Sequence, residues 1–463
     1  MPVVMVLVAL TTSACQHIPP RPLPPERTAA LLETRRLDDP EVLRFVARAL
    51  GEPLHVGVMP AWDMTRLTLA ALYFQPSMGV VRAHAALVGG AVVTASALPN
   101  PTLSVTPEYG VNPMGAVSPW VAAVHVDWTL ETAGKRRWRI RRAEADADAA
   151  RIAIVTEAWR VRRQLATTLV ALGGARARAA ALAEEAAATE RLAALGAARV
   201  TAGAASTADL APLRVASLQT TVEGAAAESQ IAEAEARVAA ALGVPARSLA
   251  GVALPSGSDV VDERDLLDLV SADARRRALL ERSDVQQAVA AYTAAEAALG
   301  LQLARQYPDV HLGPGYQFDQ GQNKWSVGLS VDLPILNRNE GPIAEAVAAR
   351  DEAGARLLAT QATVLADLEQ ALARRAGERA RAERLRALLG DRETDLGRVG
   401  SAFAAGAVDR ATLVAAEVER SRAARAAAEA EVALAQALVD LEAAVEGPIP
   451  SLPPMAGLAG GAP

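Results

Sequence analysis

The chain has 463 residues and a formal net charge of −6, with 51% hydrophobic residues but only 3% aromatic ones. An acidic total argues against a nucleic-acid partner, which would bind a basic surface. So few aromatic rings favour long helices packed through small side chains over a thick globular core. No apolar run approaches the roughly 20 residues of a membrane-spanning helix, so contact with a bilayer would need another structure.

The N-terminus has the pattern of a cleaved leader. An apolar stretch over 3–10 is followed by small residues and by Cys15, the only cysteine of the chain. This order resembles the leader of a bacterial lipoprotein, which predicts a signal peptide over 1–14 and acylation of Cys15. An ordinary signal peptide with a chance cysteine is the alternative. The Pro-rich stretch that follows predicts an extended tether within the segment 15–60.

Four short segments alternate apolar and polar residues, which is the period of a strand with one oily face and one wet face. They are 102–109, 120–130, 310–318 and 325–333. Loops rich in Gly, Asn or Pro separate the members of each pair, so the pattern predicts two β-hairpins. Aromatic residues gather toward strand ends, as in strands that cross a membrane interface. The predicted membrane-facing aromatics are Trp120, Trp128, Tyr316, Phe318 and Trp325.

Each hairpin leads into a long, Ala-rich helical pattern that turns back at a glycine. The first turn is at Gly203 and the second at Gly406, 203 residues later. Return helices are expected over 207–242 and 408–446, each about half as long as the outgoing helix before it. Other helices must therefore complete each return end to end, and the segments with a suitable pattern are 64–97 and 283–306.

The chain is thus predicted to be a duplicated helix–hairpin–long helix–return helix unit. The two copies cover 61–245 and 276–447, joined by a linker over 246–275 and followed by a tail over 448–463. Four strands are too few to close a barrel within one chain, and an uncovered apolar sheet would aggregate. The predicted fold class is therefore mainly α, with a membrane β-barrel that several copies close together around a wet lumen.

These features together resemble the TolC-type outer-membrane efflux channels, the outer membrane factor lipoproteins, nearest their heavy-metal branch. The resemblance covers about 64–447 and rests on "LPNPTLS", "ETAGKRRWRIRRAEA", "QYPDVHLGPGY" and "WSVGLSVDLPILNRNEGPIAEA". It implies a homotrimer in the bacterial outer membrane, with a 12-stranded barrel on a periplasmic α-helical barrel. It also implies a passive exit duct for heavy-metal cations or small toxic compounds and drugs, served by a periplasmic adaptor (a membrane fusion protein) and an inner-membrane pump.

The resemblance also implies roles for individual residues. The tips at Gly203 and Gly406 would dock the adaptor, and Asp209 and Asp409 are candidates for a carboxylate ring that gates the periplasmic end. Both aspartates also suit the first turn of a helix, where the macrodipole favours negative charge. That simpler role is favoured for Asp409, while both readings stay open for Asp209. The basic run over 135–142 predicts contact with lipid head groups, with a merely solvated helix face as the alternative.

No motif in the sequence indicates catalysis, a metal centre or a cofactor. None of the five histidines, His17, His55, His84, His125 and His311, has metal-ligand spacing. No nucleophile elbow, Ser/His/Asp grouping or phosphate loop is present. We therefore expect neither enzyme activity nor a cofactor. The rival hypothesis is a lipid-anchored periplasmic coiled-coil adaptor or structural protein, which would have no use for four lipid-facing strands.

Overall fold

A computed structural model gives the fold of most of the chain. It describes residues 17–53, 61–111, 115, 118–255, 257–261, 263, 266 and 272–446. The predicted leader over 1–14, the lipidation site Cys15 and the tail over 448–463 lie outside the described residues.

The elements follow each other in two similar series. The first is α1 (Pro25–Glu33), α2 (Pro40–Leu50), α3 (Met64–Phe74), α4 (Pro76–Ser96), β1 (Thr102–Tyr109), β2 (Trp120–Leu130), α5 (Lys135–Thr201) and α6 (Thr207–Leu242). Short 3₁₀ turns at Ala246–Leu249 and Gly257–Asp259 lie in the linker. The second series is α7 (Ala272–Glu281), α8 (Ser283–Ala304), β3 (Val310–Asp319), β4 (Gln322–Val331), α9 (Glu340–Ala404) and α10 (Arg410–Val445).

Two very long helices run through the whole molecule. The helix α5 has 67 residues and α9 has 65, so each is about 100 Å long at 1.5 Å per residue. Around them the other helices form a wall of four columns. Near the tips the order is α6, α5, α10 and α9, and near the strands it is α4, α5, α8 and α9.

Each return helix is completed by another helix, as predicted. Gln75, between α3 and α4, donates from Nε2 to the carbonyls of Ala240 and Ala241 at the end of α6, at 2.8 and 2.6 Å. At the start of α8, the amide of Ser283 donates to a carboxylate oxygen of Glu446, directly after α10, at 2.9 Å. These contacts confirm the end-to-end arrangement in both copies.

Two expectations about the segment 64–97 were wrong. The predicted single helix is broken at Gln75, which adopts an extended conformation (φ −65°, ψ 120°) because the following Pro76 disfavours helical backbone before it.

The other expectation was that the chain has no apolar stretch of the length of a membrane-spanning helix. The second piece of the broken helix, α4, is long and apolar enough by length and composition to cross a membrane. Its Ala, Gly and Val residues give it a high mean hydropathy, although it has no continuous run of large apolar side chains. One such helix is weak evidence of a span.

The four strands form one antiparallel sheet in the order β1-β2-β3-β4. The two hairpins join through β2 and β3, where Trp128 lies opposite Leu312. The strand β4 covers Gln322–Val331 and not 325–333. It starts earlier because a two-residue turn with positive φ at Gln320 and Gly321 connects it directly to β3. It ends earlier because Val331 pairs with Val310, the first residue of β3.

The main hydrophobic core lies at mid-length of the long helices. Leu67 and Leu72 of α3 and Leu165 of α5 are fully buried there, together with Val42 of α2. Arg35, between α1 and α2, donates to the carbonyls of Phe74 and Gly243 at 2.7 and 2.9 Å. The N-terminal segment thus packs around the middle of the wall, where α3, α4 and α6 meet.

Ion pairs join the two copies along the contact of α5 with α10. Glu185 of α5 is almost completely buried and accepts from Arg422 and Arg425 of α10, at 3.2 and 3.0 Å. Nearer the core, Arg162 donates to Glu442 at 2.6 Å. Nothing in the sequence spacing had indicated these pairings, because the partners are more than 200 residues apart.

Candidate functional site

One face of the sheet is apolar and exposed. Cross-strand partners share a face, and the register pairs Val105 with Val124, Leu312 with Leu329 and Tyr316 with Trp325. On β4 the side chains of Trp325, Val327 and Leu329 are 82%, 77% and 69% exposed. Burying such a surface is strongly favourable, so this face needs an apolar environment that a single chain does not provide.

Aromatic side chains border the apolar face at both ends. Tyr109 and Trp120 meet at 4.9 Å between ring centroids, and Tyr316 and Trp325 meet at the same distance. The predicted aromatics all lie on the apolar face. Trp128 lies at the other end of β2, eight residues from Trp120, or about 26 Å along the strand. At the tilt of about 40° typical of membrane strands this length spans about 20 Å of height, close to the apolar band of about 25 Å between the aromatic girdles.

The opposite face of the sheet is polar. His311 Nδ1 lies 3.3 Å from a carboxylate oxygen of Asp127 and 3.3 Å from the hydroxyl of Thr129. A β-carbon on Gly315 would lie 2.3 Å from Nδ1 of His125, so only glycine lets that ring lie across β3. Among the described residues, no group of three or more His, Cys, Asp or Glu side chains is arranged to hold a metal ion.

The turn from β2 into α5 is fixed by carboxylates from the polar side of the sheet. Lys135 Nζ lies 2.8 Å from Asp309, which also accepts from the amide of Thr132 at 2.9 Å. Glu131 forms two hydrogen bonds with Arg139, at 2.5 and 3.1 Å. The basic run over 135–142 was predicted as one surface, but the structure ties part of it to the chain itself.

The two helix tips have the same backbone geometry. Gly203 and Gly406 have φ of +73° and +74°. At each tip the amide of the residue after the glycine donates to the carbonyl of the residue five positions before its own. Ala204 donates to Arg199 and Ala407 donates to Ala402, both at 2.8 Å. This is the glycine-terminated Schellman motif. The predicted tips are thus real turns.

The two candidate gate aspartates both stabilise helix starts. Asp209 forms a capping box with Ser206, and Asp409 is the N-cap of α10, accepting from the amide of Thr412 at 2.8 Å. Both carboxylates are exposed. Hydrogen bonds from Ser206 hold the pKa of Asp209 below its usual value, and hydrogen bonds from Thr412 do the same for the pKa of Asp409. Each is therefore ionised at neutral pH, which is compatible with a capping role and with a gate.

A family model described as outer membrane efflux protein matches residues 70–244 and 274–447. The chain belongs to this family. The two matched segments correspond to the two copies of the unit, although the first begins nine residues after the predicted start of its copy. The resemblance expected from the sequence motifs is confirmed. Membership makes the protein an outer-membrane efflux protein by class.

Individual relatives agree with this membership. The chain is 30% identical over 168 residues to the cobalt-zinc-cadmium resistance protein CzcC of Cupriavidus metallidurans. The aligned segment covers 36% of this chain and 40% of that protein. The fold is similar to the outer membrane protein VceC of Vibrio cholerae (TM-score 0.67, 19% identity, 83% of this chain and 96% of that chain). It is also similar to the open-state MtrE outer membrane channel of Neisseria gonorrhoeae (TM-score 0.61, 18% identity, 83% and 89%).

Proposed function

We propose that this protein is the outer-membrane exit duct of a tripartite efflux system. The observation that carries the proposal is the continuous apolar face of the four-stranded sheet, which leads into helices about 100 Å long. The strands have 8 to 11 residues, close to the roughly 9–11 that a tilted strand needs to cross a bilayer. The helices would extend the path into the periplasm.

Closure of the duct requires several copies, because the wall has two unpaired edges in the described part of the chain. One edge consists of β1, α4 and α6, and the other of β4 and α9. On α6 the first edge exposes Val215, Leu218 and Val222, which recur at helical spacing and are 52–69% exposed. Head-to-tail contact of unlike edges generates a ring when the rotation closes. We propose a homotrimer with a shared 12-stranded barrel, as the resemblance to the efflux channels implies.

The tips would form the periplasmic end of this duct. The helices before Gly203 and Gly406 have 67 and 65 residues, so both turns lie at nearly the same distance from the strands, which supports their proposed use as docking points for a periplasmic adaptor. Asp209 and Asp409 would give the ring a negative charge and form its gate. An inner-membrane pump would supply the energy, and passage through the duct itself would be passive.

The proposed cargo is heavy-metal cations or small toxic compounds. The name of the relative CzcC, a cobalt-zinc-cadmium resistance protein, supports metal cations, and the negative charge of the chain suits cations as well. The shared segment covers only 40% of that relative, so drugs and other toxicants stay within the proposal. Acylation of Cys15 would add a lipid anchor in the outer membrane.

Reconstitution into planar bilayers tests this function. The native full-length protein should run as a heat-sensitive trimer on gels, and a variant with Asp209→Ala and Asp409→Ala should conduct more readily than the native duct. A periplasmic coiled-coil adaptor, the rival hypothesis, would be recovered without an outer-membrane trimer. Bilayers that stay silent with the tip variant, or a protein that is monomeric in mild detergent, would contradict the proposal.

A further inference from the structure

The basic run at the start of α5 divides into two groups with different surroundings. Lys135 and Arg139 are bound to Asp309 and Glu131. These carboxylates directly precede β3 and follow β2, next to the apolar pair Leu130 and Val310, so strand alternation assigns them to the polar side of the sheet. Arg137 and Arg141 are exposed. In the described part of the chain, neither of them makes an ion pair with a carboxylate.

Helix geometry places the unpaired group on the opposite side of the wall. Arg137 follows Lys135 by two residues and Arg141 follows Arg139 by two residues, which turns each side chain by about 200° around the helix. Since Lys135 and Arg139 reach the polar side, Arg137 and Arg141 project on the side of the apolar face. They are four residues apart and therefore neighbours on one helix face.

Trp138 holds the two arginines as a pair. The guanidinium carbon of Arg137 lies 5.6 Å from the ring centroid of Trp138, and that of Arg141 lies 5.1 Å from it. The ring is itself fixed against α8, where a β-carbon on Gly300 would overlap it at 2.6 Å. The tryptophan thus orders two guanidinium groups without neutralising their charge.

The pair also lies next to the membrane end of the wall. The guanidinium of Arg137 reaches back over the turn before α5, 3.7 Å from the β-carbon position of Gly134. That turn directly follows Leu130, the last residue of β2 and one of its exposed apolar side chains. The head-group region extends roughly 5–7 Å beyond the hydrocarbon on each side of a bilayer, so both guanidinium groups fall within or close to it.

We infer that Arg137 and Arg141, both held against the ring of Trp138, bind the phosphate of an anionic phospholipid in the periplasmic leaflet. The inference rests on the proposed function, because it requires the strands to cross a membrane. Arginine suits the ligand through its several fixed N–H donors, which bind phosphate oxygens in pairs. Apolar contact with the strands and charge contact with this pair would then fix the height of the duct in the bilayer.

The test measures lipid binding to the full-length protein in mild detergent by native mass spectrometry. The probes are phosphatidylglycerol and phosphatidylcholine with identical acyl chains. The native protein should prefer phosphatidylglycerol. The variant R137Q/R141Q should bind it about thirty-fold more weakly, at about five-fold per arginine near an anionic surface. The lysine variant R137K/R141K, which keeps the charge, should fall between the two.

The matched control is R142Q/R151Q, which removes two charges from the same helix. Arg142 lies 3.9 Å from Asp146 and Arg151 pairs with Asp148 at 2.5 Å, so both have partners within α5. This variant should keep the lipid preference. Equal binding of the two lipids, unchanged binding by R137Q/R141Q, or inorganic phosphate binding as tightly as the lipid would each overturn the inference.

Conductance in planar bilayers separates this inference from the proposed function. All three variants should assemble and conduct, since the duct does not depend on the pair. Normal channels without a lipid preference would refute only the lipid site. Absence of channels from every protein, even when each also carries Asp209→Ala and Asp409→Ala, would refute the duct.

Discussion

The two copies of the repeated unit share a backbone but differ where the strands enter the long helix. In the first copy the turn is closed by charged groups of the same chain, with Lys135 bound to Asp309. In the second copy the turn exposes Leu333, Ile335 and Leu336, whose side chains are 73%, 75% and 97% exposed. The two junctions thus differ in their contacts: charged groups close the first within the chain, and the second leaves an apolar surface exposed.

The tips repeat this lesson with a different chemistry. The N-cap of α6 is Ser206 and its third helical residue is Asp209. The N-cap of α10 is Asp409, and the equivalent third residue is Thr412. The acid and the hydroxyl have exchanged places, yet both helices start with a side-chain cap, because either group accepts a hydrogen bond from the backbone.

The contact between the copies gives the largest expected effect. Replacing Glu185 with Ala removes the buried carboxylate that joins Arg422 and Arg425 to α5. These two arginines keep their contacts with Glu419 and Glu429 on α10. We expect the free energy of unfolding to fall by about 3 kcal/mol, the low end for a broken buried ion pair, because both arginines are partly exposed. Urea unfolding followed by circular dichroism measures it.

Glu184 is the matched control, because it is the adjacent residue and pairs with Arg420 while 59% exposed. Glu184→Ala should cost only about 0–1 kcal/mol. Equal losses for the two variants would show that burial of Glu185 contributes nothing and that the copies are joined by other contacts.

A charge on the apolar face of the sheet should destabilise the protein to a similar extent in either copy. An arginine at Val105 of β1 or at Val327 of β4 would place a charge against lipid, at a cost of about 2–4 kcal/mol near the midplane. Thr106→Arg places the same charge on the polar face of β1 and should be tolerated. The yield of folded protein in outer membranes and its urea unfolding in lipid vesicles measure this. A polar-face arginine as harmful as the other two would argue against a wet lumen.

The turn glycines should also respond alike in both copies. Gly203→Ala and Gly406→Ala each force a β-carbon into left-handed backbone, at about 1–2 kcal/mol. Gly397 lies inside α9 with nothing within 4 Å of a β-carbon, so Gly397→Ala should stabilise by about 0.4–1 kcal/mol. Thermal unfolding tests the opposite signs. A cost at one tip alone would mean that the two tips differ in strain.

The sequence predicted those parts of the molecule that depend on local order. Strand alternation, turn glycines and helix length gave the duplicated unit, and β1 and β2 have the predicted bounds. The break at Gln75 was missed because the pattern of apolar residues continues across Pro76. The pairings of Glu185, Asp309 and Arg162 could not be predicted, since they depend on which helix columns become neighbours, and this is decided by packing between distant segments.

The candidate site was predictable to a similar extent. The polarity of each strand face follows from its period, so the membrane-facing aromatics were identified. The basic run was identified as a run, but its division into bound and unpaired arginines depends on the helix direction relative to Asp309 and Glu131. The capping functions of Asp209 and Asp409 were expected as alternatives, and a gate requires the neighbouring copies to be tested.

The exchange of acid and hydroxyl at the tips predicts a small difference in acid sensitivity. The pKa of Asp409 is lowered by hydrogen bonds from Thr412. Its ionised form therefore contributes stability above the ordinary aspartate pKa, and this contribution is lost as pH falls through the lowered value. In the first copy the amide of Asp209 donates to the hydroxyl of Ser206, which does not titrate in this range. The hydrogen bond from the Ser206 amide to the Asp209 carboxylate does weaken when that carboxylate is protonated.

Hydrogen exchange, corrected for intrinsic rates, measures this difference. It should show the Thr412 amide losing more protection than the Asp209 amide between about pH 5 and pH 2.5. Asp409→Ser should abolish the loss at the Thr412 amide, because a hydroxyl that does not titrate in this range replaces the carboxylate that accepts from it. Equal loss of protection at the two amides in the native protein would instead mean that the carboxylates contribute equally, and that the position of the acid within the cap has no consequence for stability.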